Sequence, residues 1–353
     1  GDDLDESQTL ATWLDAAGYR TGFFGKYLNG YPFRRGPYVP RGWDEWQAIM
    51  ARTGGYYEYD LNENGSIVHY GSEPSDYSTD VLAAKASEFI ETSSTPFFLY
   101  VAPKAPHAPA VPAPRHVDAP VELSHAPNFN EEDVSDKPAY VAAHEPVDEH
   151  GTRRSERRQE RSLRAVDEAL AGIVRALRTR RLLSTTVVLY TSDNGYLLGA
   201  HRLNGKMAPY EESVSVPFFM RHPNGSLGGV RNQLASNADV AATFTDLART
   251  SPTIAQDGRS LVPVIKRSRR IPWRKGVLLE WRGSNHSPET PQYVPQYWGV
   301  RSRHWTYVEY DTGEKELYDL RRDPYQLTNV AGVASYSSQQ ARQARRLGRL
   351  RRS

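Results

Sequence analysis

Asp193 and Asn194 stand side by side in the run Ser192-Asp193-Asn194-Gly195, one offering a carboxylate and the other a neutral amide oxygen. Both are hard donors that suit Ca²⁺ or Mg²⁺ better than a soft, sulfur-seeking ion. His201 and Lys206 follow in a glycine-containing loop, then Tyr210-Glu211-Glu212. An imidazole and an ammonium beside a hard metal are suited to holding an anionic substrate. Asp-Asn-Gly is also ordinary turn chemistry, with Gly195 at positive φ and Asp193 bonding its own backbone. The two oxygens by themselves are far short of the about six to eight ligands that Ca²⁺ takes.

A strand must deliver this pair. Val187-Val188-Leu189-Tyr190 is an unbroken β-branched and apolar run, as expected of a strand covered on both faces, and ligands of open α/β sheets gather outside the carboxyl ends of such strands. Other elements follow from pattern. Leu10, Trp13 and Leu14 fall at helical spacing over residues 9–17, stopping at Gly18. Residues 20–24 read as a short strand running into Gly25-Lys26, and 31–42 as an irregular loop. Residues 56–59 and 67–70 flank Asn64-Gly65 as a hairpin. Residues 79–90 form a helix and 97–101 the next core strand. Residues 103–150 show little periodicity, the mark of a functional or disordered connection. The longest helix is expected over 156–183 and another over 237–248. Runs at 277–281, 297–301 and 305–310 resemble antiparallel strands of a smaller lobe. The tail from Gln339 carries six arginines and is expected to be a frayed helix.

Composition narrows the class. With 39% hydrophobic residues and 44 basic against 42 acidic side chains, the 353-residue chain supports a sizeable core. No apolar run approaches the roughly 20 residues of a membrane span. A net charge of +2 and 21 tyrosines scattered along the chain argue against nucleic acid as a partner. The chain has no cysteine.

The ordered motifs S-D-N-G, L-G-x-H, G-K, Y-E-E and V-P-F-F-M-R between Ser192 and Arg221 closely resemble the second metal-binding segment of type I sulfatases in the alkaline phosphatase superfamily. Gly25-Lys26-Tyr27, Ala105-Pro106-His107-Ala108-Pro109 and Glu316-Leu317-Tyr318-Asp319-Leu320 fall in that family's order, so the resemblance spans nearly all of the chain. It is nearest to bacterial N-acetylglucosamine-6-sulfatase-like and arylsulfatase members, whose Gly-Lys-Tyr-Leu-Asn pattern recurs at Gly25 to Asn29, and Asn128-Phe129-Asn130-Glu131 points the same way.

The resemblance implies an alkaline-phosphatase-like three-layer α/β sandwich, with a large mixed sheet lacking its first strand and a smaller C-terminal antiparallel lobe. The catalytic domain would occupy 1–270, the antiparallel subdomain 271–335 and the basic tail 336–353. It implies sulfuric ester hydrolysis of a sulfated carbohydrate or aryl sulfate, with Ca²⁺, or alternatively Mg²⁺, held partly by Asp193 and Asn194. Lys26, His107 and Lys206 would be the catalytic groups; Asn29, His201, Trp281 and His286, with Tyr293, would line the substrate. His201 is equally suited to orienting its loop, and the aromatic residues to sealing the lobe interface. The family's nucleophile is a formylglycine made from Cys or Ser in Cys/Ser-x-Pro-x-Arg, downstream of an Asp-Asp metal pair. This chain lacks both: Ser72-Glu73-Pro74-Ser75-Asp76 has Asp in place of Arg and lies after Gly-Lys, and Asp2-Asp3 follows no apolar strand. The expectation is a sulfatase whose nucleophile and remaining metal ligands lie upstream. A phosphodiesterase or phosphonate hydrolase on the same fold, and a non-catalytic degenerate homologue, are the alternatives. Export to the periplasm or the cell exterior is implied by the family alone, and no oligomeric state is.

Overall fold

Thr9 opens the first helix, α1 (Leu10–Ala16), by accepting a bond from the Thr12 amide while Thr12 Oγ1 accepts one from the Thr9 amide. Gly18, at φ +82°, turns the chain out of it. The computed structural model describes residues 4–32, 36–50, 55–94, 96–223, 228–266, 271–283, 290 and 293–352.

The chain continues through β1 (Arg20–Lys26), β2 (Glu45–Ile49), β3 (Tyr59–Glu63), β4 (Ser66–Tyr70), α2 (Ser78–Thr92) and β5 (Phe97–Ala102). These strands form one mixed sheet in the order β4-β3-β2-β1-β5, in which β2, β1 and β5 are parallel and β3 and β4 form an antiparallel hairpin. The hairpin turns at Asn64 and Gly65, both at positive φ, as the Asn-Gly pair predicts. β2 was not foreseen in the sequence.

Gly25 fixes how closely β1 can lie to β5. A Cβ on it would sit 2.0 Å from the Ala102 carbonyl oxygen, and its φ of +130° disfavours any side chain. Lys26 is thereby delivered at the carboxyl end of β1, level with the end of β5.

After β5 come α3 (Ala139–Ala142), the long α4 (Glu149–Thr179), β6 (Val188–Thr191), α5 (Glu211–Val214), β7 (Phe218–Arg221), α6 (Ala238–Ala248) and α7 (Val262–Lys266). Helices cover both faces. On one side Leu82, Ala86 and Phe89 of α2 pack against Phe24 and Leu61, and Ala176 and Leu177 of α4 pack with Phe97 and Leu99 of β5 and Val188 of β6. On the other side Phe244 of α6 meets Phe98 of β5 edge to face, with centroids 5.7 Å apart.

Among the described residues β6 pairs only with β7, antiparallel, and β5 only with β1. Among the described residues no ladder joins β5 to β6, although both pack on α4. Each therefore keeps one open edge.

The smaller lobe is an all-antiparallel sheet of β8 (Val277–Trp281), β9 (Tyr297–Ser302), β10 (Trp305–Tyr310) and β11 (Lys315–Asp319), in the order β11-β10-β9-β8. The basic tail is the helix α8 (Ser337–Leu350), which seats Leu347 among Val300, Tyr307 and Leu317. It is packed where a frayed helix was expected, because Ala344, Leu347 and Leu350 place apolar groups on one face between the arginines. The architecture is the expected α/β one, a mixed sheet between helical layers with a smaller antiparallel lobe.

Candidate active site

β6 ends at Thr191 and the chain then turns to present Asp193. Asp193 Oδ1 accepts from the Asn194 amide at 2.9 Å, and Ser192 Oγ donates to the Asn194 carbonyl at 2.8 Å. Asn237, at the head of α6, donates to the carbonyls of Ser192 and Asp193, each at 3.0 Å. Gly195 is needed for a different reason from the one turn chemistry suggests. It is not among the glycines with positive φ; a Cβ there would lie 2.0 Å from the Glu212 carbonyl oxygen, so the glycine permits a close crossing of two backbones.

Lys206 Nζ donates to Asn194 Oδ1 at 2.7 Å, and both Asp193 and Lys206 are exposed. The structure thus brings three of the expected residues together. As a metal site they fit in kind but not in number: there are two hard oxygens, one already engaged by an ammonium. Among the described residues no cluster of three or more His, Cys, Asp or Glu could hold a metal ion.

The carboxyl ends of β1 and β5 bring a second group. Burial first, and then the charge of Lys26, lower the pKa of Lys104. Lys104 Nζ also lies 5.7 Å from the centre of the Tyr56 ring. Tyr56 Oη donates to the His107 carbonyl at 2.7 Å, and the His107 amide donates to the Lys104 carbonyl at 2.8 Å. The His107 imidazole is exposed, with Nδ1 2.9 Å from the Ala108 carbonyl. Lys26, Lys104 and His107 thus stand at or just beyond the carboxyl ends of β1 and β5, and Lys206 beside the turn after β6, the ends at which open α/β sheets gather their ligands.

His201 is placed elsewhere. It is fully buried, its Nδ1 is 2.6 Å from Glu131 Oε2, and Asn128 Nδ2 is 3.3 Å from Nε2. This network puts the ring proton on Nδ1. Its ring lies 4.0 Å from that of Tyr210. Of its two sequence readings, the geometry matches loop orientation and removes substrate contact, because neither nitrogen reaches solvent. Asn29 is exposed, three residues beyond Lys26. Trp281 is partly buried on the cluster containing Tyr297 and Tyr310, and donates its indole N–H to the Val294 carbonyl at 3.2 Å, as a residue sealing the lobe interface would. Tyr293 packs on the same cluster. His286 and the Asp2-Asp3 pair lie outside the described residues.

Lys104, Asn237 and Glu131 were missed as supporting residues. Glu131 sits in the Asn128 to Glu131 segment that carried part of the resemblance, so a signal for it was present; Asn237 gave none beyond a helix start. Replacing Asn237 with Ala is expected to cost about 0.5–1.5 kcal/mol, the worth of an ordinary hydrogen bond, the side chain being exposed. Faster hydrogen exchange at the Asn194 amide than at β6 amides would accompany it, and unchanged exchange there would count against this role.

A mixed sheet between helices, an antiparallel lobe and a cationic region at the carboxyl ends of the strands define an alkaline-phosphatase-like α/β protein. Residues 2–250 match the family described as Sulfatase, and residues 199–353 match N-sulphoglucosamine sulphohydrolase, C-terminal. The chain belongs to the sulfatase family. It is 33% identical over 369 residues to N-acetylglucosamine-6-sulfatase of Homo sapiens, covering 93% of this chain and 66% of that one. With an extracellular sulfatase homolog of Drosophila melanogaster it shares 34% identity over 299 residues, 80% of this chain and 26% of the relative. The chain thus spans less than two thirds of the length of these curated relatives. A protein solved in complex with its substrate D-glucosamine-2-N,6-O-disulfate superposes with a TM-score of 0.83 at 23% identity, covering 98% of this chain and 82% of that one. The phosphonate monoester hydrolase of Agrobacterium radiobacter gives 0.72 at 21% identity, over 97% and 80%. At these identities the structural likeness speaks for the fold.

Proposed function

We propose that this chain carries the cationic half of a sulfuric ester hydrolase site, acting on a sulfated carbohydrate or an aryl sulfate. The observation that carries the reading is the contact of Lys206 with Asn194 beside Asp193, at the turn after β6; Lys26 at the end of β1 and His107 after the parallel strand β5 are the other cationic groups at strand ends. Lys26 and Lys206 bind the sulfate oxygens, where fixed positive charge is most effective. His107 donates a proton to the departing alcohol oxygen.

Asp193 and Asn194 would give two of the oxygen donors to a Ca²⁺, which would supply further positive charge against those oxygens. A formylglycine nucleophile and the remaining metal donors would come from outside these 353 residues. A cavity of about 240 Å³ beside the Lys206 loop, lined by Tyr196, Asn204 and Tyr293, has room for a sugar ring. The substrate class and export both rest on what the named relatives do, and among the described residues no helix is long and apolar enough to cross a membrane.

The test is a fusion of this chain behind a segment supplying an Asp-Asp pair and Cys-x-Pro-x-Arg, with the formylglycine-generating enzyme co-expressed. We expect kcat/KM for 4-methylumbelliferyl sulfate to exceed that for p-nitrophenyl phenylphosphonate by at least about tenfold, or ~1.4 kcal/mol of transition-state binding. The reverse preference replaces the sulfatase reading with a phosphonate hydrolase.

A further inference from the structure

A cleft of about 880 Å³ lies between residues 230–234, the segment entering β8, the turn between β9 and β10, and α8. Arg231, Arg274, Lys275, Arg303, Arg342 and Arg346 line it, and among the described residues no carboxylate does. Arg274 is paired with Asp239 at 2.5 Å, whereas Lys275, Arg303, Arg342 and Arg346 form no ion pair among the described residues. Burial, together with Arg349 and Arg342, lowers the pKa of Arg346, and burial with Arg321 and Arg303 lowers that of His304 on the same wall. So much like charge without a counter-ion raises the local potential well above that of a chain with net charge +2.

The walls are built rather than incidental. Trp273 Nε1 donates to the Leu234 carbonyl at 2.7 Å, and Arg274 lies 5.5 Å from the centre of the Trp273 ring. Gln343 is 1% exposed and accepts from Arg346 Nη1 at 3.0 Å, which holds that guanidinium in place. Trp305 adds an aromatic surface, braced edge to face by Tyr336 at 6.1 Å.

The cleft is separate from the sulfate-ester site along the small lobe. Tyr297, at the start of β9, donates to the Met207 carbonyl next to Lys206, while Ser302 at the end of the same strand lines the cleft. Five residues of strand at ~3.3 Å each separate these ends by roughly 17 Å.

We propose that this cleft is a second, non-catalytic anion site that holds a sulfated glycan chain. Guanidinium groups for sulfates, amides for hydroxyls and indole faces for sugar rings are the chemistry such a chain requires. A concave pocket of this size admits a flexible oligosaccharide of a few rings but not a nucleic-acid duplex roughly 20 Å across, whose grooves are read by convex helices or strands. The proposal is independent of turnover, so its failure and that of the hydrolase reading are distinguishable.

Binding of a heparin-derived octasaccharide to the full chain is measured by calorimetry at 50 and 150 mM NaCl, beside its desulfated counterpart and a single-stranded RNA octamer. The variant Lys275→Gln/Arg303→Gln/Arg342→Gln changes three exposed side chains; Arg154→Gln/Arg158→Gln/Arg178→Gln on α4 removes the same charge elsewhere. We expect the cleft variant to weaken octasaccharide binding by at least about tenfold and to flatten its salt dependence by about two released ions, with less than about a twofold effect from the α4 variant. Equal weakening by both variants overturns the proposal in favour of diffuse surface charge. So does octamer RNA or desulfated glycan binding as tightly as the sulfated octasaccharide.

Discussion

Given 4-methylumbelliferyl sulfate and Ca²⁺ by itself, the chain is expected to release no fluorophore above the buffer rate. Sulfatase catalysis needs a nucleophile and a filled metal shell, and the sequence has neither a cysteine nor a Ser-x-Pro-x-Arg segment to be oxidised. Its described residues place two hard oxygens at the Asp193 turn and include no cluster of three or more His, Cys, Asp or Glu that could hold a metal ion. On the proposed reading, what remains is a set of cations that would bind an ester without attacking it. The expected loss is the whole enzymatic acceleration, at least about 10⁶-fold. Calcium-dependent turnover by the chain alone sinks this reading of the site. In the fused protein described above, Lys206→Ala and Lys26→Ala are each expected to lower kcat/KM by about 10²–10³, the range found on removing one preorganised donor from developing charge. A fall in kcat/KM carried only by KM would assign them to ground-state binding instead.

Replacing Glu316 with Ala is expected to produce the largest stability loss of any single change considered for this chain. Its carboxylate is fully buried and accepts from Tyr210, Tyr318 and Tyr310 at 2.7, 2.6 and 2.5 Å. Truncation strands three buried phenols at once, at a cost of about 3–5 kcal/mol and a fall in Tm of roughly 5–10 °C or more. Glu316→Gln keeps an acceptor oxygen and should cost less. The two residues also differ with pH. Burial raises the Glu316 pKa above its ordinary 4.5, against the opposing pull of the three hydroxyls. A carboxyl raised on folding contributes stability that is complete below its unfolded pKa and is lost as pH rises through the folded one. The Tm advantage of the native residue over Gln should therefore shrink as pH climbs from 4.5. An advantage that grows with pH would show that the hydrogen bonds outweigh desolvation. Melts of the two proteins across that interval decide it.

The parts of this fold legible in the sequence were those in which side-chain pattern and environment agree. The apolar strands β5 and β6, the Asn64-Gly65 hairpin and the strands β8, β9 and β10 follow from local pattern, and so does α1, stopped at Gly18. β2 and β11 were hidden because Glu45 and Gln47 in one, and Lys315 and Glu316 in the other, interrupt any apolar alternation; only tertiary partners such as the three tyrosines around Glu316 make those residues acceptable in strands. At the site, Asp193, Asn194 and Lys206 were visible as a motif and meet in space. The burial of His201 was not visible, since it depends on Glu131 and Asn128, some seventy residues away and in a segment without periodicity. Nor could local pattern reveal why Gly195 is glycine, because the backbone that crosses it belongs to Glu212.

The bare edges of β5 and β6 bear on how long such a chain lasts in a cell. Each presents a row of amides and carbonyls that any extended polypeptide can join. Chaperones and proteases act on chains in proportion to how often such surface is offered, so abundance follows occupancy of these edges. A strand seated between them would lengthen the half-life of the chain whether or not it also brought a nucleophile, and pulse-chase labelling would report that occupancy without any enzyme assay.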